Sequence, residues 1–79
     1  MRLDKYLKTA RLIKRRTVAN EACDAGRVLV NNKAARASYD VKVGDVIEIA
    51  IGTHPIRVEV VNINEYAKKE EAVLMYKQV

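Results

Sequence analysis

Four cationic side chains crowd a stretch of six residues near the start of the chain, at Arg11, Lys14, Arg15 and Arg16. A helical pattern follows, so these cations lie at the N-terminal end of a helix, which already carries roughly half a positive charge from its macrodipole. Folding alone would favour Asp or Glu there, and one or two cations would need no explanation beyond solvation. We therefore predict that this segment binds an anionic partner.

Positive charge is concentrated in the first half of the chain. The net charge is +5, but residues 1–36 hold ten Lys or Arg against three Asp or Glu, whereas residues 37–79 hold five against seven. Such asymmetry indicates a surface for nucleic acid or for an anionic membrane. A membrane-surface helix needs an apolar face of Trp, Phe or Leu, and the chain has no Trp and no Phe. We therefore favour nucleic acid.

Length and composition limit the class of protein. A chain of 79 residues, 49% of them hydrophobic, predicts one globular domain over residues 1–79 with a modest core. The single cysteine excludes an internal disulfide and a cysteine-rich metal site. No apolar run is long enough to span a membrane, and no apolar signal region follows the first residue. We therefore expect a cytoplasmic protein without membrane contact.

The hydrophobic pattern predicts an α+β fold, in which two N-terminal helices pack on a small, mostly antiparallel curved sheet and a short helix ends the chain. Gly26 is suited to the left-handed residue that terminates a helix, and Asn31 and Asn32 tolerate the positive φ of a turn. The predicted helices cover residues 2–8, 15–25 and 68–76, and the main strands cover 28–30, 46–51 and 56–63, with weak pairing over 33–37.

Two patterns predict which side chains face the core. Small residues on the second helix allow close packing, and alternating aliphatic residues mark the inner face of the 46–63 hairpin. The predicted inward residues are Val18, Ala19, Ala22 and Cys23 on the helix, and Ile47, Ile49, Ile51, Ile56, Val58 and Val60 on the hairpin.

No arrangement of residues suggests catalysis. Cys23 has the helical spacing of a small buried residue, and His54, at the expected hairpin tip, has no nearby carboxylate or second histidine. Among the tyrosines, Tyr6 is expected in the core, whereas Tyr39 is expected to be free to stack on a base. We therefore predict a binding module rather than an enzyme, with no cofactor and no metal.

Two helices joined by a short turn also fit a DNA-binding helix-turn-helix regulator, whose second helix must reach base edges. The middle of this second helix offers Asn20, Glu21 and Asp24, and its acids would be repelled by a DNA groove. Cations at the helix starts and in the turn suit the irregular backbone of folded RNA better.

Four segments of the chain resemble the S-four RNA-binding domain: RLDKYL, ARLIKRRTVA, AGRVLVNNK and ASYDVKVGDVIEI. The matches are ordered over a motif core of residues 2–49, and the hairpin and tail of residues 46–79 follow it. Asn32 stands where the domain usually has glycine, and asparagine also adopts that conformation. The matching positions are Arg2, Leu3, Asp4, Leu7, Arg16, Thr17, Ala19, Gly26, Val28, Val30, Asn31, Gly44 and Asp45.

The tail, with Lys68 to Ala72 followed by Met75 and Tyr76, extends the resemblance to the free-standing RqcP (YabO-like) family and its relative, the heat-shock ribosome-binding protein. The relative's basic C-terminal extension is missing, which favours the RqcP family. This resemblance implies binding to obstructed large ribosomal subunits that carry peptidyl-tRNA, with contacts to ribosomal RNA and tRNA. It also implies support for C-terminal alanine tailing of stalled chains by the partner RqcH. A general structured-RNA binder in ribosome assembly is the alternative.

Arg2 and Arg16 match motif positions at the starts of the two helices, where two guanidiniums could flank one stretch of phosphate backbone. The alternative is that Arg16 pairs with Asp4 and only holds the helices together. Arg57 is expected outside the binding surface, and the protein is expected to be a monomer. The predicted RNA-binding residues are Arg2, Lys5, Lys8, Arg11, Lys14, Arg15, Arg16, Arg27, Lys33 and Arg36.

Overall fold

The computed structural model describes residues 1–50 and 52–79, and it confirms the α+β fold. Three helices accompany one five-stranded sheet, in which every pair of neighbouring strands is antiparallel. The strand order is β2-β1-β3-β4-β5. The elements are α1 (Leu3–Thr9), α2 (Arg16–Asp24), β1 (Val28–Val30), β2 (Lys33–Ala34), β3 (Val46–Ile49), β4 (Ile56–Val60), α3 (Lys69–Ala72) and β5 (Tyr76–Gln78).

The end of α2 follows from one glycine, as predicted. Gly26 has a φ of +78°, and its N–H donates to the carbonyl of Cys23 at 3.0 Å. The N–H of Arg27 donates to the carbonyl of Ala22 at 2.9 Å. This pair of hydrogen bonds is the Schellman arrangement, which satisfies the last carbonyls of the helix and turns the chain directly into β1.

Asparagines form the tight turn between β1 and β2. Asn31 and Asn32 have φ values of +52° and +69°, and Val30 pairs with Lys33 across them. Two consecutive residues with positive φ are the requirement of a two-residue hairpin turn whose twist matches the strands. The predicted role of both asparagines is confirmed, including the one that replaces glycine.

The core lies between the two long helices and the inner face of the sheet. Tyr6 is fully buried within α1, as predicted, and its hydroxyl donates to the carbonyl of Met75 at 2.8 Å. Burial without a partner would be costly for that hydroxyl, so this bond ties the first helix to the tail. The other fully or nearly fully buried side chains include Leu3, Leu7, Ala19, Cys23, Val28, Val41, Ile47, Ile49, Val58 and Val60.

Two residues predicted to face the core are exposed. Val18 is 43% exposed, because the buried face of α2 is formed by Ala19, Ala22 and Cys23, and Val18 lies off that face. Ile56 is 37% exposed, because it is the first residue of β4, next to the hairpin turn and at the margin of the core. Ile51, the third isoleucine predicted on the inner face, lies outside the described residues.

The predicted C-terminal helix over residues 68–76 is wrong in extent. The helix α3 covers only Lys69–Ala72, and Tyr76–Gln78 form a fifth strand. This strand pairs with β4, with Val60 opposite Tyr76 and Val58 opposite Gln78. A short helix gains few hydrogen bonds for its nucleation cost, whereas the free edge of β4 offers a ladder of backbone partners.

Candidate nucleic-acid interface

The two predicted site arginines meet at one buried carboxylate. Asp4, in the first turn of α1, is 2% exposed. Its Oδ1 accepts from Nε of Arg2 at 3.2 Å, and its Oδ2 accepts from Nε of Arg16 at 3.4 Å. Both arginine side chains remain about half exposed, at 51% and 48%. The Asp4–Arg16 ion pair is therefore present, and it leaves the terminal amino groups of Arg16 available for another partner.

Asp4 has two further hydrogen-bond donors. Nδ2 of Asn20 lies 3.2 Å from Oδ2, and the backbone N–H of Lys5 lies 2.8 Å from Oδ1. Burial by itself would raise the pKa of Asp4, but the hydrogen bonds from Asn20, Arg16, Lys5 and Arg2 together outweigh it and lower that pKa below 3.8. The carboxylate is therefore charged at neutral pH and holds both arginines by charge as well as by geometry.

Backbone structure positions both the acceptor of this network, on α1, and two of its donors, on α2. The N-terminal N–H groups of α1 are satisfied by a neighbouring segment, since Leu3 donates to the carbonyl of Tyr39 at 2.8 Å and Asp4 to that of Ala37 at 3.2 Å. On α2, Arg16 and Asn20 are four residues apart and share one face of the helix. Sequence reasoning missed Asn20 as a member of this site, although its spacing from Arg16 was a usable signal.

Another predicted site arginine, Arg11, lies at the end of α1 and has a strained backbone conformation. Arg11 has a φ of +61°, its N–H donates to the carbonyl of Lys8 at 3.0 Å, and the N–H of Leu12 donates to the carbonyl of Leu7 at 3.0 Å. This is the same terminating arrangement as at Gly26, with arginine in the position that glycine favours. The left-handed conformation costs a side chain about 1–2 kcal/mol, so folding alone does not explain this arginine.

Arg11→Gly is therefore expected to separate stability from binding. Relief of the strained φ should leave the free energy of unfolding unchanged or raise it by up to about 1 kcal/mol, while the loss of one cation should weaken RNA binding. Urea denaturation and RNA titration of the same variant would measure both effects. A clear loss of stability would show that the Arg11 side chain is itself structural.

Arg11 belongs to an open groove beside the turn between the helices. Its cationic lining is Lys8, Arg11 and Lys14, and Glu65 of the β4–α3 loop also lines it. Lys5 is half-buried next to this loop, with its Nζ 3.7 Å from Oε1 of Glu65. The carboxylate of Glu65 is thus paired with a lysine, and the groove keeps an excess of positive charge.

The other predicted residues do not line the groove and do not bond to Asp4. Arg15 is exposed at the N-terminal end of α2, which has no side-chain cap. Lys33 and Arg36 line a depression beside Tyr39, and Arg27 lines another beside Glu21 at the far end of α2. All four are exposed. The structure therefore brings together Arg2 with Arg16 and Lys8 with Arg11 and Lys14, but not the whole predicted set.

Tyr39 is less free than predicted, because its hydroxyl is tied to the fold and its side chain is only partly exposed. It is half-buried, and its hydroxyl donates to Oδ2 of the buried Asp45 at 2.9 Å. Asp45 also accepts from the side chain of Asn31 at 3.0 Å and from the N–H of Lys42 at 3.0 Å. The carboxylate of Asp45 therefore joins the β2–β3 loop, through Tyr39 and Lys42, to the turn between β1 and β2, through Asn31.

Neither Cys23 nor His54 lies in an environment that would make its side chain reactive. Cys23 is buried, and burial first, then the carboxylates of Asp4 and Asp24, raises the pKa of its thiol to about 11. His54 is exposed in the turn before β4. Within residues 1–50 and 52–79, no cluster of His, Cys, Asp and Glu could hold a metal ion. The described part of the chain also contains no helix with the length and apolar character needed to cross a membrane.

Residues 1–47 match the family model of the S4 domain, and the chain therefore belongs to the S4 domain family. Two relatives, from Streptococcus pneumoniae and Bacillus subtilis, are each named RQC P-site tRNA stabilizing factor. They are 51% and 50% identical to the chain over 76 residues, which is 96% of this chain and 86% and 88% of theirs. Within the S4 domain family, the chain belongs to the family of RQC P-site tRNA stabilizing factors.

A solved structure supports the same assignment at the level of the fold. Heat shock protein 15 of Vibrio cholerae, solved as a trimer, superimposes with a TM-score of 0.92 at 29% sequence identity. The match covers 100% of this chain and 81% of the other. The resemblance predicted from the sequence, to the S-four domain, the RqcP family and its heat-shock relative, is confirmed.

Proposed function

We propose that this chain binds structured RNA on obstructed large ribosomal subunits, where it contacts both ribosomal RNA and the peptidyl-tRNA. The observation that carries the proposal is the Arg2–Asp4–Arg16 site, in which a buried carboxylate holds two half-exposed guanidiniums next to each other. Guanidiniums held in this way suit bidentate contacts with phosphate. The names of the relatives, which refer to tRNA in the ribosomal P site, support tRNA as one of the ligands.

The biological role that we propose is support of C-terminal alanine tailing of stalled nascent chains, together with RqcH on the same subunit. The protein would act in the cytoplasm, as a monomer and without catalysis of its own. Retention of peptidyl-tRNA needs only binding energy. Among the described residues, neither Cys23 nor His54 has the partners that a nucleophile or general base requires.

Sedimentation would test this role. Tagged protein is expected to co-sediment with split large subunits that carry peptidyl-tRNA, and to be lost when the tRNA is released. Mature ribosomes and assembly precursors are the controls. Preferential binding to precursors would favour the general role in ribosome assembly instead.

Binding is expected to be strongly salt-dependent. If about five cations contact phosphates, the logarithm of the association constant should fall with the logarithm of salt concentration at a slope of roughly −3.5 to −4.5. Titration of a labelled RNA hairpin at several salt concentrations measures this slope. A flat response, or equal affinity for random duplex DNA, would contradict RNA binding by this surface.

A further inference from the structure

One tyrosine differs from the other three in being almost entirely open to solvent. Tyr66, in the loop between β4 and α3, is 83% exposed. Tyr6 is buried, and Tyr39 in the β2–β3 loop and Tyr76 in β5 are half-buried. A single exposed tyrosine is common on protein surfaces and needs no explanation by itself. The residues around Tyr66 therefore determine whether its exposure suggests a role.

The neighbours of Tyr66 belong to the cationic surface. Nζ of Lys5, on α1, lies 5.5 Å from the centroid of the Tyr66 ring, within the range of a cation–π contact. Both chain neighbours of Tyr66, Glu65 and Ala67, line the groove that also contains Lys8, Arg11 and Lys14. An exposed aromatic ring therefore lies at the margin of a groove with three cations.

The loop holds the ring in this place by two contacts. The side-chain Oδ1 of Asn64 accepts from the backbone N–H of Tyr66 at 3.1 Å, which closes a tight turn around Glu65. The carboxylate of Glu65 pairs with Lys5 at 3.7 Å and so joins the loop to α1. Glu65 would repel phosphate if it were unpaired, but with Lys5 beside it the local charge is close to balanced.

We propose that Tyr66 is a stacking platform for an unpaired RNA base, whose adjoining phosphates lie along the groove of Lys8, Arg11 and Lys14. Single-stranded nucleic acids are bound by this combination of an aromatic face with a positively charged groove. The RNA-binding surface would then extend beyond residues 1–47 into the β4–α3 loop. This inference rests on the proposed RNA-binding function and adds the class of ligand, a base outside a helix.

The test uses a hairpin RNA with a single-stranded adenosine tail, and the same hairpin with an abasic tail. Wild-type protein is expected to bind the adenosine form about five- to 150-fold more tightly, the range that one stacked base provides. Tyr66→Ala should bind both forms equally, and Tyr66→Phe should keep the preference because it keeps the ring. Val79→Ala is the control, since Val79 is also an exposed apolar residue but lies next to Arg57 at the far end of β5.

The remaining outcomes overturn the inference, and they separate it from the proposed function. If wild-type protein binds both hairpins equally, with an affinity that Arg16→Ala abolishes, RNA binding stands but Tyr66 does not stack. If Tyr66→Ala weakens binding of the abasic form as much as that of the adenosine form, the ring supports the loop or contacts a protein partner instead. If wild-type protein binds neither hairpin, the proposed function fails as well.

Discussion

Arg16→Ala is expected to lower the affinity for RNA by at least about 100-fold and to abolish association with large subunits. Hydrogen bonds to charged groups contribute about 1.5–3 kcal/mol each, and two such bonds from one guanidinium to phosphate exceed the ~2.8 kcal/mol that a 100-fold loss represents. Arg16→Lys should rescue binding only in part, because an ammonium cannot form the bidentate contact. Subunit co-sedimentation and RNA titration measure both variants.

The fold should survive this substitution. Asp4 keeps its hydrogen bonds from Arg2, Asn20 and the N–H of Lys5. The free energy of unfolding is therefore expected to change by less than about 1 kcal/mol, as for most surface substitutions. Unfolding of the variant under conditions in which wild-type protein is folded would show that the Arg16–Asp4 ion pair is mainly structural.

Arg57→Ala is the matched control for charge. Arg57 is exposed on β4 with Glu48 opposite it on β3. Because its neighbour Val58 is buried, Arg57 points to the outer face of the sheet, away from the helices. This variant loses the same charge but should bind RNA nearly normally. Equal weakening by Arg16→Ala and Arg57→Ala would mean that attraction is diffuse and that the proposed site is wrong.

Asp4→Asn should weaken RNA binding even though it makes the protein more positive. The amide can accept fewer hydrogen bonds and carries no charge, so Arg2 and Arg16 would lose the group that holds them in place. We expect a loss of at least about tenfold in affinity, which is ~1.4 kcal/mol. Diffuse electrostatic attraction predicts the opposite, since removal of a negative charge should tighten binding. The direction of the change in an RNA titration therefore distinguishes the two models.

Asp4→Ala should in addition destabilise the fold by about 1–3 kcal/mol, because the amide of Asn20 and the N–H of Lys5 would lose a buried acceptor.

The stability that the Asp4 network gives to the wild-type protein should depend on pH. The pKa of Asp4 in the folded protein is lowered below its ordinary value of 3.8. The ionised carboxylate therefore stabilises the fold at pH values above that ordinary pKa, and this stabilisation is lost as the pH falls through the folded pKa. Urea denaturation at neutral and acidic pH should show that the difference in free energy of unfolding between wild-type protein and Asp4→Asn becomes smaller in acid. A constant difference would contradict the charged network.

Local sequence was sufficient to predict the main turns, the core-facing residues and the domain family, because these features depend on interactions between residues close in the chain. Gly26, Asn31 and Asn32 adopt the positive φ values that their residue types favour. Most of the periodic apolar residues of α1 and of the β3–β4 hairpin face the core because helix and strand periods fix which side chains share a face. The residues that do so are Leu3, Tyr6, Leu7, Ile47, Ile49, Val58 and Val60. The ordered segments of residues 2–49 indicated the S4 domain, and the excess of cations in residues 1–36 indicated an anionic ligand.

Tertiary structure decided the features that depend on distant partners. Residues 76–78 form a strand rather than a helix because the free edge of β4 lies within reach. Tyr39 is tied to Asp45 and Tyr66 is left open, although nothing in their local sequences distinguishes the two rings. Likewise, Asp4 and Arg16 are twelve residues apart, and only the packing of α1 against α2 turns two charged side chains into one site. Local residue types set the backbone conformation and the inventory of charges, whereas long-range packing and hydrogen bonding selected which of those charges act together.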